Sequence, residues 1–148
     1  MLLQPDACGC GNHGCLEQYA SATGVVRLAE RRLASSEKDS VLRTAKANGR
    51  LSAKAVFDAV KAGDELACEI AEQFGDYLGK GFAAIAGVVN PEVFVLGGGV
   101  SKAGEILCEY VSKYYQKYVF HGCGGAQFKL ATLGNDAGIY GAAKLVIG

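Results

Sequence analysis

Apolar positions recur at helical spacing through most of this chain, broken by two short runs of strand character. Val25, Val26, Leu28, Ala29 and Leu33 predict a helix over residues 22–33. Ala34 to Ser40 is polar, with serines and charges, and reads as a surface connection. Ser52 is placed to cap a helix over 53–62, and Gly63 to stop it. Asp64 is placed to cap a longer helix whose buried stripe is Leu66, Ile70, Phe74, Leu78, Gly81, Ile85 and Val88. Gly75, Gly79, Gly81 and Gly87 fall inside it, although a mid-helix glycine costs up to about 1 kcal/mol against alanine. So many imply close approach of another backbone or of a ligand, and plain helix-on-helix packing explains them equally well.

Pro91 ends that helix. Val93, Phe94, Val95 and Leu96 then read as a short buried strand over 92–96, followed at once by Gly97, Gly98 and Gly99. Ser101 is placed to cap the next helix, with Leu107, Tyr110, Val111, Tyr114 and Tyr118 as its apolar stripe. A second strand is predicted over 128–131, then a turn through Asn135 and Asp136, then a last helix of small residues running to the C-terminus. Strand, turn, helix, repeated, is the rhythm of a parallel α/β sheet with crossovers. Two strands make an incomplete sheet of this kind. The chain is therefore expected to be one partial domain over 1–148, with the missing strands before Met1.

Composition narrows the function classes. At 148 residues, half of them hydrophobic, the chain can bury one core. Its formal net charge is zero, so neither nucleic acid nor a membrane surface is an expected partner. No apolar run approaches the ~18 residues of a membrane span, and no basic stretch precedes an apolar one as in a secretory signal. Six cysteines without an export signal read as reduced thiols in a cytoplasm.

Chemistry concentrates in Cys8-Gly-Cys10-Gly-Asn-His-Gly-Cys15-Leu-Glu17. Thiolates this close, on a loop that glycines let bend, can converge on one tetrahedral ion, and Cys8, Cys10 and Cys15 are the expected zinc ligands. The 1–21 segment is thus read as a zinc loop. Reaching the same ion would fold the His13 side chain back into its own tight turn, so a fourth ligand from elsewhere fits better. The competing reading is a cluster of reduced thiols without metal. The triple glycine can let backbone N–H groups approach an anion or nucleotide, but it is neither G-x-G-x-x-G nor a Walker A loop. A tight connection is the competing reading there. Asn135-Asp136 sits where a helix starts and is read first as a cap.

The whole pattern resembles one family. Cys-x-Cys-Gly-x-x-Gly-Cys-x-Glu over Cys8 to Glu17, followed by Tyr19-Ala-Ser21, is similar to the signature of the ROK family of bacterial glucokinases, related sugar kinases and sugar-responsive repressors. Asn90-Pro-Glu-Val-Phe-Val-Leu-Gly-Gly-Gly-Val-Ser101 is similar to its adenosine-side motif, and Leu133-Gly-Asn-Asp-Ala-Gly-Ile-Tyr-Gly-Ala-Ala143 to its C-terminal helix. The resemblance implies an actin-like (ribonuclease H-like) pair of α/β domains with sugar and ATP in the cleft. It implies Cys8, Cys10 and Cys15 as zinc thiolates, Glu17 as a carboxylate binding sugar hydroxyls, and Gly97, Gly98 and Gly99 as the loop beside the nucleotide. The family's Asp-x-Gly-Gly-Thr phosphate loop, its catalytic Asp and its Glu-x-Gly-His segment are absent, so no catalytic base is expected here.

The expected function is the C-terminal half of a glucokinase-like kinase. With its other half it would transfer phosphate from Mg-ATP to a hexose, glucose foremost, as a homo-oligomer. Two other readings compete. One is the effector-binding half of a ROK-type repressor. The other is a zinc-stapled structural or interaction module that binds neither sugar nor nucleotide.

Overall fold

A computed structural model describes residues 5–147; Met1 to Gln4 and Gly148, which the expected 1–148 domain, 1–21 loop and final helix include, lie outside the described residues. Helices dominate. They are α1 (Glu17–Ala20), α2 (Ala22–Ala34), α3 (Val41–Ala47), α4 (Ala53–Lys61) and α5 (Glu65–Val89), followed by strand β1 (Val93–Leu96) and α6 (Glu105–Tyr118). Strand β2 (Gln127–Leu130) and α7 (Ala137–Ile147) complete the order.

The helix starts follow local chemistry. The side chains of Ser21, Ser52 and Asp64 accept the amides of Gly24, Ala55 and Ala67, capping α2, α4 and α5. Ser40 does the same for α3, a helix the sequence reading did not predict. Asp64 also accepts the Val41 amide at 2.9 Å, which ties the start of α3 to that of α5. Burial opposes the Asp64 charge, yet the Ala67 amide, the Ser40 hydroxyl and the Val41 amide together hold its carboxyl below the ordinary range.

The long helix α5 is the centre of the core. Its Leu66, Ile70 and Phe74 are fully buried among Val25 and Leu28 of α2, Val56 and Phe57 of α4, and Leu107 and Val111 of α6. Phe57 meets Phe74 edge-on at 5.9 Å. Toward its C-terminus the expected stripe drifts. Ala83 and Ala86 are buried, whereas Ile85 and Val88 are exposed. On α6 the buried tyrosine is Tyr115, not Tyr118, and Tyr110 and Tyr114 are only half-buried.

α5 and α6 pack at backbone distance. A Cβ on Gly79 would lie 2.5 Å from Tyr114 Cβ and 2.6 Å from the Tyr114 carbonyl carbon. A Cβ on Gly75 would lie 3.0 Å from the Tyr110 carbonyl oxygen. These glycines are therefore explained by helix packing. Gly81 is different, since its missing Cβ leaves room for the Leu16 side chain.

β1 and β2 pair in parallel, with Val93 opposite Gln127 and Leu96 opposite Leu130. One face is covered: Phe94 stacks on Phe128 at 5.3 Å, and both meet the buried Tyr115 ring edge-on. The other face is not. Val95 is 64% exposed, so β1 is half-buried rather than buried on both sides as expected. The helix α7 has no buried residue, and Ile139, Leu145, Val146 and Ile147 all face outward.

Two outcomes follow from this packing. Gly79→Ala should destabilise the fold by about 1–3 kcal/mol, because the added methyl meets backbone atoms that cannot turn aside. Gly87→Ala, with open space around its Cβ, should instead stabilise by up to about 1 kcal/mol. Urea unfolding of both variants checks the pair. The bare faces of β1 and α7 should also make the chain self-associate, which light scattering across a concentration series reads as a rise in mass; a monodisperse monomer at high concentration would mean that these faces are not sticky.

Candidate functional site

The cysteine loop is a tight backbone construction. The Cys8 amide donates to the Asn12 carbonyl at 2.8 Å, Gly11 to Cys8 at 3.0 Å, and Gly14 to Asp6 at 2.8 Å. Ala7 and His13 form a short antiparallel bridge. Gly14 adopts φ +74°, a conformation that side chains disfavour, and this turns the chain so that Cys15 faces back toward Cys8 and Cys10.

The result is three sulfurs within 4.8 Å of one another, with Cys10 Sγ 3.5 Å from Cys15 Sγ. Four ligands at about 2.3 Å around a tetrahedral ion stand roughly 3.8 Å apart, so this donor set fits such an ion on three sides. His13 does not join the group. The Cys10 amide, then the Cys10 and Cys15 thiols and the Gln18 amide, lower the Cys8 pKa and favour its thiolate. The same Cys10 and Cys8 sulfurs push Cys15 up to about 11. Thiolates brought this close repel one another, and a bound cation would relieve that repulsion.

Glu17 follows directly. The Cys15 carbonyl accepts the Gln18 amide at 2.9 Å, so the loop runs straight into α1. Glu17 is exposed, but its Oε2 accepts the Gln18 side-chain amide at 2.6 Å. Gln18 is itself buried, and its carbonyl accepts Arg27 of α2 at 3.4 Å. A buried amide thus holds an exposed carboxylate in place. Sequence reasoning missed Gln18, because adjacent positions on a helix are not normally partners and only its burial reveals the role. α1 is fixed from both sides: Tyr19 stacks on Tyr77 of α5 at 4.8 Å, and Leu16 fills the gap over Gly81.

The glycine turn lies at the C-terminal end of β1. Gly98 adopts φ +76° and ψ −164°, a region open essentially to glycine alone. A 3₁₀ turn, Gly99–Ala103, follows, so α6 starts at Glu105 after Gly104. Ser101 is therefore not the helix cap expected of it. Its hydroxyl donates back to the Gly98 carbonyl at 2.8 Å and closes the turn. A Cβ on Gly99 would lie 3.2 Å from Ala22 Cβ, at the start of α2. The glycine turn therefore packs against the start of α2, the helix that follows α1 in the chain. Asp136 closes another 3₁₀ turn, Gly134–Asp136, and α7 begins after it.

The ROK family model matches residues 1–148. This chain belongs to the ROK family. It is similar to the glucokinase of Halalkalibacterium halodurans, 41% identical over 140 residues that cover 94% of this chain and 42% of the relative. A stretch of 106 residues, 71% of the chain, is 34% identical to the DNA-binding transcriptional repressor Mlc of Escherichia coli, covering 25% of it. Its fold matches the crystal structure of a ROK family glucokinase from Streptomyces griseus in complex with glucose and AMPPNP. The TM-score is 0.79 at 32% identity, over 94% of this chain and 46% of that one.

The ROK chain is thus a helix-rich α/β unit like those of the ROK sugar kinases, and it spans less than half the length of the relatives it matches. Among the described residues no helix is long and apolar enough to cross a membrane.

Proposed function

We propose that this chain is the C-terminal half of an ATP-dependent, glucokinase-like sugar kinase of actin-like fold, working in the cytoplasm on hexose and Mg-ATP. The observation that supports this most is that Gly99 packs on Ala22, two residues beyond the helix that carries Glu17. A sugar at Glu17 and a nucleotide at Gly97–Gly99 would then be neighbours. The S. griseus relative was solved with glucose and an ATP analogue together, and the likeness covers nearly this whole chain.

In this reading Glu17 accepts hydrogen bonds from sugar hydroxyls, held in aim by Gln18. The backbone of Gly97, Gly98 and Gly99 lets the nucleotide approach without side-chain obstruction. Cys8, Cys10 and Cys15 hold a structural zinc that stiffens the segment leading into Glu17. Magnesium, when bound with ATP, neutralises charge developing during phosphoryl transfer. The general base and first phosphate loop would belong to the portion that this chain does not span.

A second reading, the sugar-binding half of a repressor, is favoured by the likeness to Mlc. That likeness covers less of the chain than the glucokinase likeness does, and so we place it second. An upstream Asp-x-Gly-Gly-Thr loop would establish the kinase, and an upstream helix-turn-helix the repressor.

Zinc should copurify with the chain through the three thiolates, and an open fourth position should let chelators remove it faster than from a closed site. Elemental analysis of protein prepared without chelator checks this; less than about a tenth of an equivalent of zinc, with thiols free to alkylate, contradicts it. Alone, the chain should not phosphorylate glucose, since losing a positioned base costs ~10²–10⁴-fold even in an intact cleft. A coupled assay for glucose 6-phosphate reads this, and turnover by the chain at ~1–100 s⁻¹ would overturn the division of labour proposed. With the upstream half supplied, Glu17→Gln should weaken glucose binding more than ATP binding. Equal loss of both would remove Glu17 from the sugar site.

A further inference from the structure

The same sulfurs support a second chemistry, independent of the sugar-kinase reading. Cys10 Sγ stands 3.5 Å from Cys15 Sγ, and Cys10 is exposed while Cys15 is partly covered. A disulfide needs about 2.05 Å, so closure requires roughly 1.5 Å of movement. The segment between them contains Gly11 and Gly14, and the surroundings of Gly9 and Gly11 are open for 4 Å around their Cβ positions. Contraction can therefore come at Gly11, while Gly14 stays held, since its Cβ position lies 3.0 Å from Pro5 Cβ and its amide donates to the Asp6 carbonyl. Cys68, Cys108 and Cys123 are free, on α5, on α6 and in the turn before β2.

We propose that Cys10 and Cys15 form a peroxide-oxidisable dithiol, a modification site that competes with metal for the same sulfurs. The Cys10 sulfur, the more exposed of the pair, attacks one oxygen of a hydroperoxide and gives up any proton it carries. A sulfur–oxygen bond forms, the oxygen–oxygen bond breaks, and the other oxygen leaves and is protonated to alcohol or, from hydrogen peroxide, water. Cys10 is then a sulfenic acid. Cys15 sulfur attacks Cys10 sulfur, and the hydroxyl departs as water, taking the Cys15 proton or, where Cys15 was a metal-bound thiolate, a proton from solvent. The two sulfurs lose two electrons between them, and the peroxide gains them. Two of the three thiolate donors are consumed, so a bound divalent ion is left with Cys8 alone and departs.

The contraction also pulls on the Cys15 carbonyl, which holds the Gln18 amide, whose side chain in turn holds Glu17. Any effect on sugar binding rests on the sugar-site reading; the thiol chemistry does not.

The test is a titration of the zinc-loaded chain with hydrogen peroxide, read by intact mass, by peptide mapping after alkylation, and by a chromogenic chelator for released zinc. The first equivalent should give a monomer lighter by two hydrogens, with Cys10 linked to Cys15 and zinc released in step. A dithiol reductant should reverse it. Cys10→Ser and Cys15→Ser should each abolish the link, and combined serine replacement of Cys68, Cys108 and Cys123 should leave it unchanged. Mapping of the unmutated, metal-free chain reads the same link, so a chain that takes up no zinc still tests the proposal. First oxidation at Cys68, Cys108 or Cys123 overturns it, as does a link involving Cys8, an intermolecular link, a lasting sulfinic acid at Cys10, or zinc retained through oxidation.

Discussion

The rest of this structure depends on how closely α5 approaches α6. At Gly79 no side chain fits, because the Tyr114 backbone occupies the space where a Cβ would be. That contact fixes a helix of 25 residues in the middle of the molecule. One flank of α5 then carries Tyr77 and Gly81, which hold Tyr19 and Leu16 on either side of Glu17. Its C-terminal end delivers the chain into β1, and hence into the glycine turn. Both candidate binding elements are thus positioned by one rigid rod. The glycines cost helix propensity, and the packing they permit more than offsets it.

Less of the site than of the core is self-sufficient. The aromatic cluster of Phe82, Phe94, Phe128 and Tyr115 seals one face of the two-stranded sheet. Val95 on the opposite face and the apolar residues of α7 remain in contact with water. Relatives of more than twice this length share the fold. Glu17, Gly97, Gly98 and Gly99 are all exposed.

Much of this was legible in the sequence, for identifiable reasons. The caps at Ser52 and Asp64 are local hydrogen bonds and needed no tertiary information. The cysteine loop converged as its spacing implied, because glycine admits the positive φ that the turns at Gly11 and Gly14 adopt. What failed was whatever depended on tertiary context. The helix α3 was hidden because its segment, Val41 to Ala47, buries only Leu42. Tyr115 was passed over for Tyr118 because neighbouring tyrosines on one helix differ only in what lies opposite them. Ser101 looked like a cap, but the glycine turn ahead of it needed a hydroxyl to close. Gln18 carries no signal at all until its burial is known.

In the proposed kinase, the cysteine-loop segment and the glycine turn are adjoining parts of one sugar and nucleotide cleft. A crystal structure of the chain joined to its upstream half, with glucose and a non-hydrolysable ATP analogue, tests it most directly. A glucose hydroxyl should lie within hydrogen-bonding distance of Glu17, and the nucleotide against Gly97, Gly98 and Gly99. Glucose bound elsewhere, with Glu17 turned to solvent and the glycine turn bare, would contradict it.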